Sequence, residues 1–556
     1  MSRDLGMLLR QVGHELTVLR RTPIVLILAV AFPLGFYVLV STFVGNETID
    51  VRAGIRVAQF LAPAFASFGV VMSTFSFLAI GLAESRVTGV LKRQNGTPLP
   101  RWAMLGGRMG AAVLLGLAST ALVIGVGVLA YDVKIIGATL ASVIVTLVVA
   151  SLSFCALGLA VASVASTPQV AQALTNGIVI PIAFVSDIFT FGGPGAPVWL
   201  SNIGWFFPLK HLVNALGDAF NPFLTGNGFA WDHLAVIAVW GIAGAAAAAW
   251  LLRPSREGST SNGPNRARAR KADSSPRRSA SPTVWQLLRD QAAYTFTNLR
   301  RDFSAVFFSA AFPILLVIII PAMNGGGDAL LEDGTQLAAY FAATMAAYGA
   351  AVTSFVSMPE GVAEARAQGI LKRAHGTPLP RWTMLLGRIL GALVVSLITL
   401  IGCYLAVNLI YGTAIPQAWW SAVLVIVVAA VCFASIGLAV VSLVRSAQSV
   451  IGFTLGTLLP LSFISDIFVI GAPFPPVINA VSWFFPLRHA TRAMTDVAAT
   501  PAGVSPGLSL DHLGAMLAWT VVALLVVAWR FNWEGAEPRK KAPARAAKGA
   551  RAAASS

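Results

Sequence analysis

The sequence predicts an all-α integral membrane protein with two tandem six-helix transmembrane domains, about 12 spans in total, related by a parallel pseudo-twofold repeat. Composition is the first reason: of 556 residues, 56% are hydrophobic and 11% are charged, whereas soluble domains carry about 25% charged residues. An internal repeat is the second, because fifteen of twenty residues recur when residues 89–108 are aligned with residues 369–388. Both copies lie between long apolar runs, which indicates that one membrane module has been duplicated.

Each half contains six apolar runs of the length that a membrane-spanning helix needs, about 20 residues. In the first half they lie at residues 24–44, 57–82, 103–130, 135–165, 170–190 and 229–252. In the second half they lie at residues 304–323, 337–358, 383–410, 418–443, 448–470 and 511–531. We therefore expect a first domain at residues 1–252, a basic Ser/Pro/Arg linker at 253–282, a second domain at 283–533 and a basic tail at 534–556.

The positive charge predicts the orientation. Much of the net charge of +16 lies in the linker and the tail, low-complexity segments that we interpret as cytoplasmic flanks in contact with anionic membrane lipid, not as a nucleic-acid site. The loop after the second run of each half is rich in Arg and Lys, and the preceding loop is poorer in them. Because basic loops face the cytoplasm, we expect the repeated segment, the linker and both termini on that side.

The repeated segment has the character of a short amphipathic helix that continues from the second span over residues 84–95. Val87, Val90 and Leu91 form an apolar stripe at helical spacing, with basic residues elsewhere on the surface. Gly96 and the prolines that follow end the helix. Two interpretations stay open: the segment docks into a groove on a partner protein, or it is a basic turn at the membrane surface without a partner.

The motif, a Glu, Gly-(Val/Ile)-Leu-Lys-Arg, Thr-Pro-Leu-Pro and Gly-Arg, resembles the cytoplasmic loop of the type-2 permeases of ABC transporters, which export drugs and lipids from bacteria. The resemblance covers nearly all of the chain outside the linker and tail. It implies a type V ABC exporter-like fold in the bacterial plasma membrane, although here two permease domains are fused. It also implies that each segment is a coupling helix that receives ATP-driven motion. The matching residues are Glu84, Gly89, Leu91, Lys92, Arg93, Thr97, Pro98, Glu364, Gly369, Leu371, Lys372, Arg373, Thr377 and Pro378.

The resemblance implies that this chain is not itself an enzyme. The sequence contains no G-x-x-x-x-G-K-[ST] string, with which ATPases bind phosphate. We therefore expect ATP and Mg on a separate ABC ATPase subunit, in two copies because the two coupling loops are nearly identical. No catalytic, cofactor-binding or metal residue is predicted. The cysteines lie in apolar runs, and we interpret the histidines that follow the two Trp-Phe-Phe-Pro-Leu segments as anchors of outer loops.

One acidic residue stands at the end of each fifth span, Asp187 in the first half and Asp466 in the second, both within Phe-(Val/Ile)-Ser-Asp-Ile-Phe. A carboxylate at membrane depth usually faces a cavity or a partner. The alternative is an N-terminal cap for the outer helix that follows. Both interpretations stay open, and we expect these residues to act as an outer gate or as a cap.

The predicted spans carry scattered hydroxyl and amide groups and few charges, which favours a hydrophobic or amphipathic substrate. The candidates for the substrate path are Ser73, Thr74, Ser76, Thr175, Asn176, Thr353, Ser354, Ser357, Thr454 and Thr457. We therefore expect the membrane subunit of an ATP-driven exporter of drugs, antibiotics or lipid-like molecules. The alternative is an ion-driven secondary transporter with two six-span halves, which needs acidic residues near the middle of the membrane.

Overall fold

The computed structural model describes most of the chain. The described residues are 2–20, 27–43, 48–50, 55–189, 197–224, 226–251, 285–286, 289–290, 293, 297, 303–331, 333–375, 381–416, 418–444, 446–468, 474–499 and 508–531. The predicted linker at 253–282 and the predicted tail at 534–556 lie outside these residues.

The first half is built from helices. An amphipathic helix, α1 (Ser2–Arg20), precedes α2 (Phe32–Phe43), which follows directly on a π-helical turn at Ile27–Ala31. A second π-helical turn at Met72–Ser76 joins α3 and α4 into one continuous rod. The remaining helices in order are α3 (Val57–Val71), α4 (Phe77–Val87), α5 (Val90–Asn95), α6 (Arg101–Tyr131), α7 (Leu140–Val164), α8 (Pro168–Val185), α9 (Val198–Phe206), α10 (Pro208–Ala219) and α11 (Trp231–Leu251).

The second half repeats this order. Its π-helical turns, at Phe307–Ala311 and Val352–Ser357, stand at the places equivalent to those of the first half. The described helices are α12 (Phe303–Val306), α13 (Phe312–Met323), α14 (Leu337–Ala351), α15 (Met358–Ala367), α16 (Ile370–His375), α17 (Arg381–Tyr411), α18 (Trp419–Leu443), α19 (Ala447–Ile464), α20 (Pro476–Phe484), α21 (Pro486–Ala499) and α22 (Leu510–Arg530).

Within the described residues, nine helices are long and apolar enough to cross a membrane. Three shorter apolar helices, at Ala29–Thr42, Phe307–Met323 and Ser449–Ile464, stand at the three remaining predicted positions. An all-helical, multi-pass membrane protein is thus confirmed. Twelve crossings stay a prediction, because these three helices are shorter than the about 20 residues that span a bilayer.

The connection between the first and second apolar helices departs from a purely helical fold. Two short strands, β1 (Thr48–Asp50) and β2 (Ile55–Arg56), pair antiparallel there. In the second half the equivalent connection contains a single bridge between Leu330 and Gln336. These pairings satisfy backbone groups of the two connections.

Glycines allow α7 and α18 to lie directly against the π-helical turns. A Cβ atom built on Gly158 of α7 would stand 2.8 Å from the carbonyl oxygen of Phe75, and one on Gly437 of α18 would stand 3.1 Å from that of Ser354. Helices that approach this closely need small residues at the contact. Each half therefore fixes its irregular second span against its fourth span in the same way.

The two halves pack reciprocally. Phe463, at the end of α19, belongs to the buried cluster built by α2 and α3 of the first half. Conversely, Phe184 at the end of α8 belongs to the buried cluster that contains Leu316 of α13. The fifth span of each half thus contacts the first span of the other half, which gives the fold the pseudo-twofold relation that the repeat predicted.

Candidate functional site

The repeated segment is a separate short helix in each half, at what we call the motif end of the bundle. The prediction of one helix continuing from the second span is wrong, because α4 ends at Val87 and α5 begins at Val90. Gly89 between them has φ of 73°, and its equivalent Gly369 has φ of 69°. Glycine adopts this left-handed conformation without steric cost, which explains its presence in both copies.

The leucines of the segment face inward. Leu371 is 1% exposed and belongs to the core of the second half. Leu91 packs against the cluster that contains Leu78, Leu82 and Cys155. The expectation that an apolar stripe including Leu91 is offered to a partner is therefore corrected: these leucines attach the short helices to their own half, and Val87 alone of the stripe is largely exposed.

The charged residues of the segment face outward instead. Lys92 and Arg93 in α5 are exposed, as are Lys372 and Arg373 in α16. Glu84 is exposed as well. Each short helix thus presents two cations next to a left-handed glycine.

The remaining predicted coupling residues differ between the halves. The hydroxyl of Thr97 donates to the carbonyl of Gln94 over 2.6 Å, and both Thr97 and Pro98 are exposed. Glu364 accepts a hydrogen bond from the amide of Gln169 over 3.5 Å, a contact between the halves. Thr377 and Pro378 lie outside the described residues.

Two arginines beside the segment cap the fourth span of each half. Arg86 donates from Nη1 to the carbonyl of Ala165 over 3.0 Å, just beyond the end of α7. Arg366 donates to the carbonyls of Val441 over 2.7 Å and Val444 over 2.5 Å, at the end of α18. Cations at a helix C-terminus satisfy free carbonyls and oppose the helix dipole. The sequence placed these arginines in a basic loop but did not indicate this role.

Arg108 joins three elements at the motif end. Its Nε lies 3.3 Å from the carboxylate of Glu15 in α1, and its Nη2 donates to Ser85 over 2.9 Å and to Gln94 over 3.5 Å. The side chain of Arg108 is 8% exposed and that of Glu15 is 16% exposed, so this ion pair is largely buried. Arg108 thereby connects the amphipathic helix α1 to the short helix α5. The repeat contained Arg108, but the sequence did not predict its partner.

Most of the substrate-path candidates are engaged within their own helices. The hydroxyls of Ser73, Thr74, Thr175, Thr353, Thr454 and Thr457 each donate to the carbonyl four residues earlier, over 2.6–2.9 Å. Ser76 contacts the sulfur of Met72, and Ser357 contacts Ser309. Two of the candidates, Ser354 through its Oγ and Asn176 through its Oδ1, have a buried polar atom without a hydrogen-bond partner among the described residues.

Aromatic rings fill the place where the fifth spans cross the first spans. Phe36 lies 4.2 Å from Phe463 of the other half and 6.0 Å from Phe189, measured between ring centroids. Phe468 lies 5.0 Å from Phe463 and 5.4 Å from Tyr348. We call these five rings the central aromatic cluster. It closes the contact between the halves at the end of the bundle opposite to the motif end.

Asp187 and Asp466 stand beside this cluster, and each forms an ion pair. Asp187 lies 3.2 Å from the ammonium of Lys210. Asp466 lies 3.4 Å from Arg488 and 2.5 Å from Arg492. Both acids have left-handed backbones directly after the end of the fifth helix.

The cap expected of these acids is not what the structure shows. The helix after Asp187, α9, has Pro197 at its N-cap position and no side-chain cap, and α20 likewise has Pro475. The acids hold α10 and α21 instead, because their cationic partners lie on those helices. The sequence did not indicate the partners, since Lys210 and Arg488 lie more than 20 residues further along the chain.

A pair of histidines joins the same helices to the last span of each half. The Nδ1 atoms of His211 and His233 are 3.0 Å apart, and those of His489 and His512 are 3.2 Å apart. The Nε2 of His211 meets the carbonyl of Trp205, which only accepts, so Nε2 carries the proton and Nδ1 accepts from His233. These histidines join α10 and α21 to the last helix of their half through a hydrogen bond between two rings, and their predicted role as anchors of outer loops stays a prediction.

These pairs give the fold a predicted pH dependence. Burial lowers the pKa of His211 and of His489 below the ordinary value of 6.5. Below about pH 6.5 the unfolded chain therefore binds more protons than the folded chain. The contribution of these histidines to the free energy of unfolding is fully present above that pH and declines as the pH falls. We expect a lower melting temperature in detergent at about pH 5 than at about pH 7.5. The double variant His211→Asn, His489→Asn should show a smaller difference, and an unchanged difference would contradict the assignment.

These features place the chain in the class of multi-pass helical membrane proteins with two repeated domains. The family model described as ABC-2 family transporter protein matches residues 55–252 and 316–529, and the chain belongs to this family. The predicted family is thus confirmed in both halves.

Curated relatives match a part of the chain. The probable multidrug ABC transporter permease YbhR of Escherichia coli K12 is 25% identical over 155 residues, which cover 28% of this chain and 42% of the relative. The protein of the same name from Escherichia coli O157:H7 matches equally. The chain thus spans less than half the length of the curated relatives it matches.

Proposed function

We propose that this chain is the membrane-spanning permease of an ATP-driven ABC exporter that moves hydrophobic or amphipathic molecules out of the cytoplasm or the inner leaflet. The observation that carries the proposal is the duplicated short helix at the motif end, attached inward by Leu91 or Leu371 and offering two exposed cations outward. Family membership supports this assignment. The similarity to YbhR, a probable multidrug ABC transporter permease, supports a drug-like substrate.

The partner that fits both short helices is a cytoplasmic ABC ATPase subunit, present in two copies. Because the outward residues Lys92 and Arg93 recur as Lys372 and Arg373, one ATPase surface can bind each half. ATP and Mg are bound by that partner, and no cofactor by this chain. In this arrangement the motif end lies in the cytoplasm of a bacterial plasma membrane, with both termini on that side.

The contacts at the motif end supply a route for motion from the partner to the spans. Displacement of α5 pulls on Leu91, which packs on α4 and α7, and on Arg108, which is bound to α1. The π-helical turn at Met72–Ser76 lies further along the same rod, and irregular turns of this kind are common at functional sites. Opening the path then requires the central aromatic cluster to separate, which exposes the hydroxyls now bonded within their helices.

Reconstitution in proteoliposomes tests the proposal against ion-driven transport. The purified chain, with its ATPase subunit, should expel a fluorescent amphipathic dye when ATP and Mg are supplied. An ATPase variant without its P-loop lysine should abolish this transport. Transport driven by a proton or sodium gradient, without the ATPase, would overturn the proposal in favour of the secondary transporter.

A further inference from the structure

The two ion pairs beside the central aromatic cluster expose opposite charges. In the first half the carboxylate of Asp187 is 43% exposed, whereas its partner Lys210 is 5% exposed. In the second half Asp466 is 5% exposed and Arg492 is 40% exposed. One half thus presents an anion to its surroundings, and the other half presents a cation at the equivalent place.

The difference arises from a substitution between the two copies. Arg492 occupies the position equivalent to Asn214, so the second half has one more cation than the first. Asp466 is held by Arg488 and Arg492 together, and a single carboxylate leaves one of these two positive charges uncompensated. The ion pair of the first half is neutral.

The buried cations are held in place by aromatic rings, so the exposed charges have fixed positions. The ammonium of Lys210 lies 5.2 Å from the ring of Trp205, and the guanidinium of Arg488 lies 4.7 Å from the ring of Trp483. Such contacts stabilise a cation over an aromatic face. Lys210 also donates to Ser201 over 3.1 Å, which leaves Asp187 as the outward member of its pair.

Both exposed charges flank one apolar surface. Asp187 is two residues before Phe189, and Asp466 is two residues before Phe468. The rings of Phe189 and Phe468 are connected through Phe36 and Phe463 in the central aromatic cluster. Each ion pair therefore contains an acid that lies two residues from a ring of the central aromatic cluster.

The cationic side retains unused hydrogen-bond donors. Among the described residues, the buried Nε atoms of Arg488 and Arg492 have no hydrogen-bond partner. Guanidinium groups bind phosphate and carboxylate oxygens strongly, with directed hydrogen bonds. The guanidinium of Arg492, which is 40% exposed, is therefore the group of the second half that an anionic ligand can reach.

We propose that the surface beside the central aromatic cluster that carries Asp187 and Arg492, which we call the vestibule, binds zwitterionic head groups, with the cationic part at Asp187 and the anionic part at Arg492. This rests on the proposed function, since it names the substrate class of the same path. An amphiphile with both charges satisfies both sides, whereas a singly charged one satisfies one side and is repelled by the other. The apolar chain of the ligand then lies against the aromatic rings.

Equilibrium binding to the purified chain in neutral maltoside micelles tests this proposal without the ATPase. The probes are three short-chain lipids that carry the same fluorophore and differ in the head group: phosphocholine, phosphoglycerol or trimethylammonium. We expect phosphocholine to bind about two- to fivefold more tightly than either of the others, because this is the gain in affinity that one additional, partly exposed ion pair typically provides. Equal binding of the three probes, or tighter binding of a singly charged one, would overturn the proposal.

Variants assign the two charges to their residues. Arg492→Asn gives the second half the residue of the first and should bring phosphocholine binding to the level of trimethylammonium. Asp187→Asn should bring it to the level of phosphoglycerol. Asp132→Asn, which removes an exposed carboxylate at the end of α6, is the matched control and should leave the preference unchanged. Parallel loss of all three probes in the first two variants would overturn the assignment.

The same three lipids separate this inference from the proposed function. ATP-dependent transport by the reconstituted complex without any head-group preference would contradict the vestibule alone. Selective phosphocholine binding without ATP-dependent transport would contradict the exporter and leave the vestibule standing.

Discussion

Reversal of the four outward cations, Lys92→Glu, Arg93→Glu, Lys372→Glu and Arg373→Glu, is expected to release the ATPase subunits and abolish export. Each change replaces attraction by repulsion at the interface with the ATPase, which typically lowers the binding free energy by about 1 kcal/mol or more. Two changes at each short helix therefore weaken binding of each ATPase at least about tenfold. Because all four side chains are exposed, the fold should be unaffected. Co-purification of the ATPase and ATP-driven dye export provide the two measurements.

Two further variants define what this result means. Arg530→Glu reverses an exposed cation at the end of α22, which is not part of the short helices, and should leave binding unchanged. Leu371→Asp places a charge in the core of the second half, so the chain should misfold or be degraded before it reaches the membrane. If the fourfold variant still co-purified with the ATPase at the parental ratio, the short helices would not be the docking surface.

The sequence predicted those features that depend on local composition. Apolar length predicted where the long helices lie, and the duplicated motif predicted an equivalent device in each half. The sequence could not predict which face of the short helix turns inward. Leu91 and Lys92 are adjacent, and the break at Gly89 starts a new helix whose orientation does not follow from that of the second span. A continuous helix from Glu84 would have placed the apolar stripe differently. The left-handed glycine is thus the physical reason for the corrected interpretation.

Long-range pairs were beyond the reach of a single sequence. Asp187 carries a plain signal, a carboxylate at the end of an apolar run, but its partner Lys210 follows 23 residues later on another helix. Arg108 likewise meets Glu15 from a helix near the start of the chain. A comparison of the two copies would have shown that Asn214 and Arg492 differ, yet the proximity of Arg492 to Asp466 appears only once the helices are packed.

The Asp466 ion pair should be the most sensitive charged site of the fold. Asp466 and Arg488 are 5% and 7% exposed, and removing one partner of a buried pair leaves an uncompensated charge that costs about 3–5 kcal/mol. Asn is the informative replacement, because it tolerates the left-handed backbone at this position, where φ is 59°. Asp466→Asn should therefore lower the free energy of unfolding by about this amount, through its charge alone.

The equivalent variant Asp187→Asn should have a much smaller effect on stability. Its carboxylate is 43% exposed, and the long side chain of Lys210 can extend into the space it leaves and reach water. Melting in detergent, followed by tryptophan fluorescence, compares the two variants directly. Adding Arg488→Met to Asp466→Asn removes the buried charge that was left alone, so part of the lost stability should return. Equal destabilisation by the two Asn variants, or no rescue by Met, would show that the carboxylate of Asp466 acts through its hydrogen bonds and not through its charge.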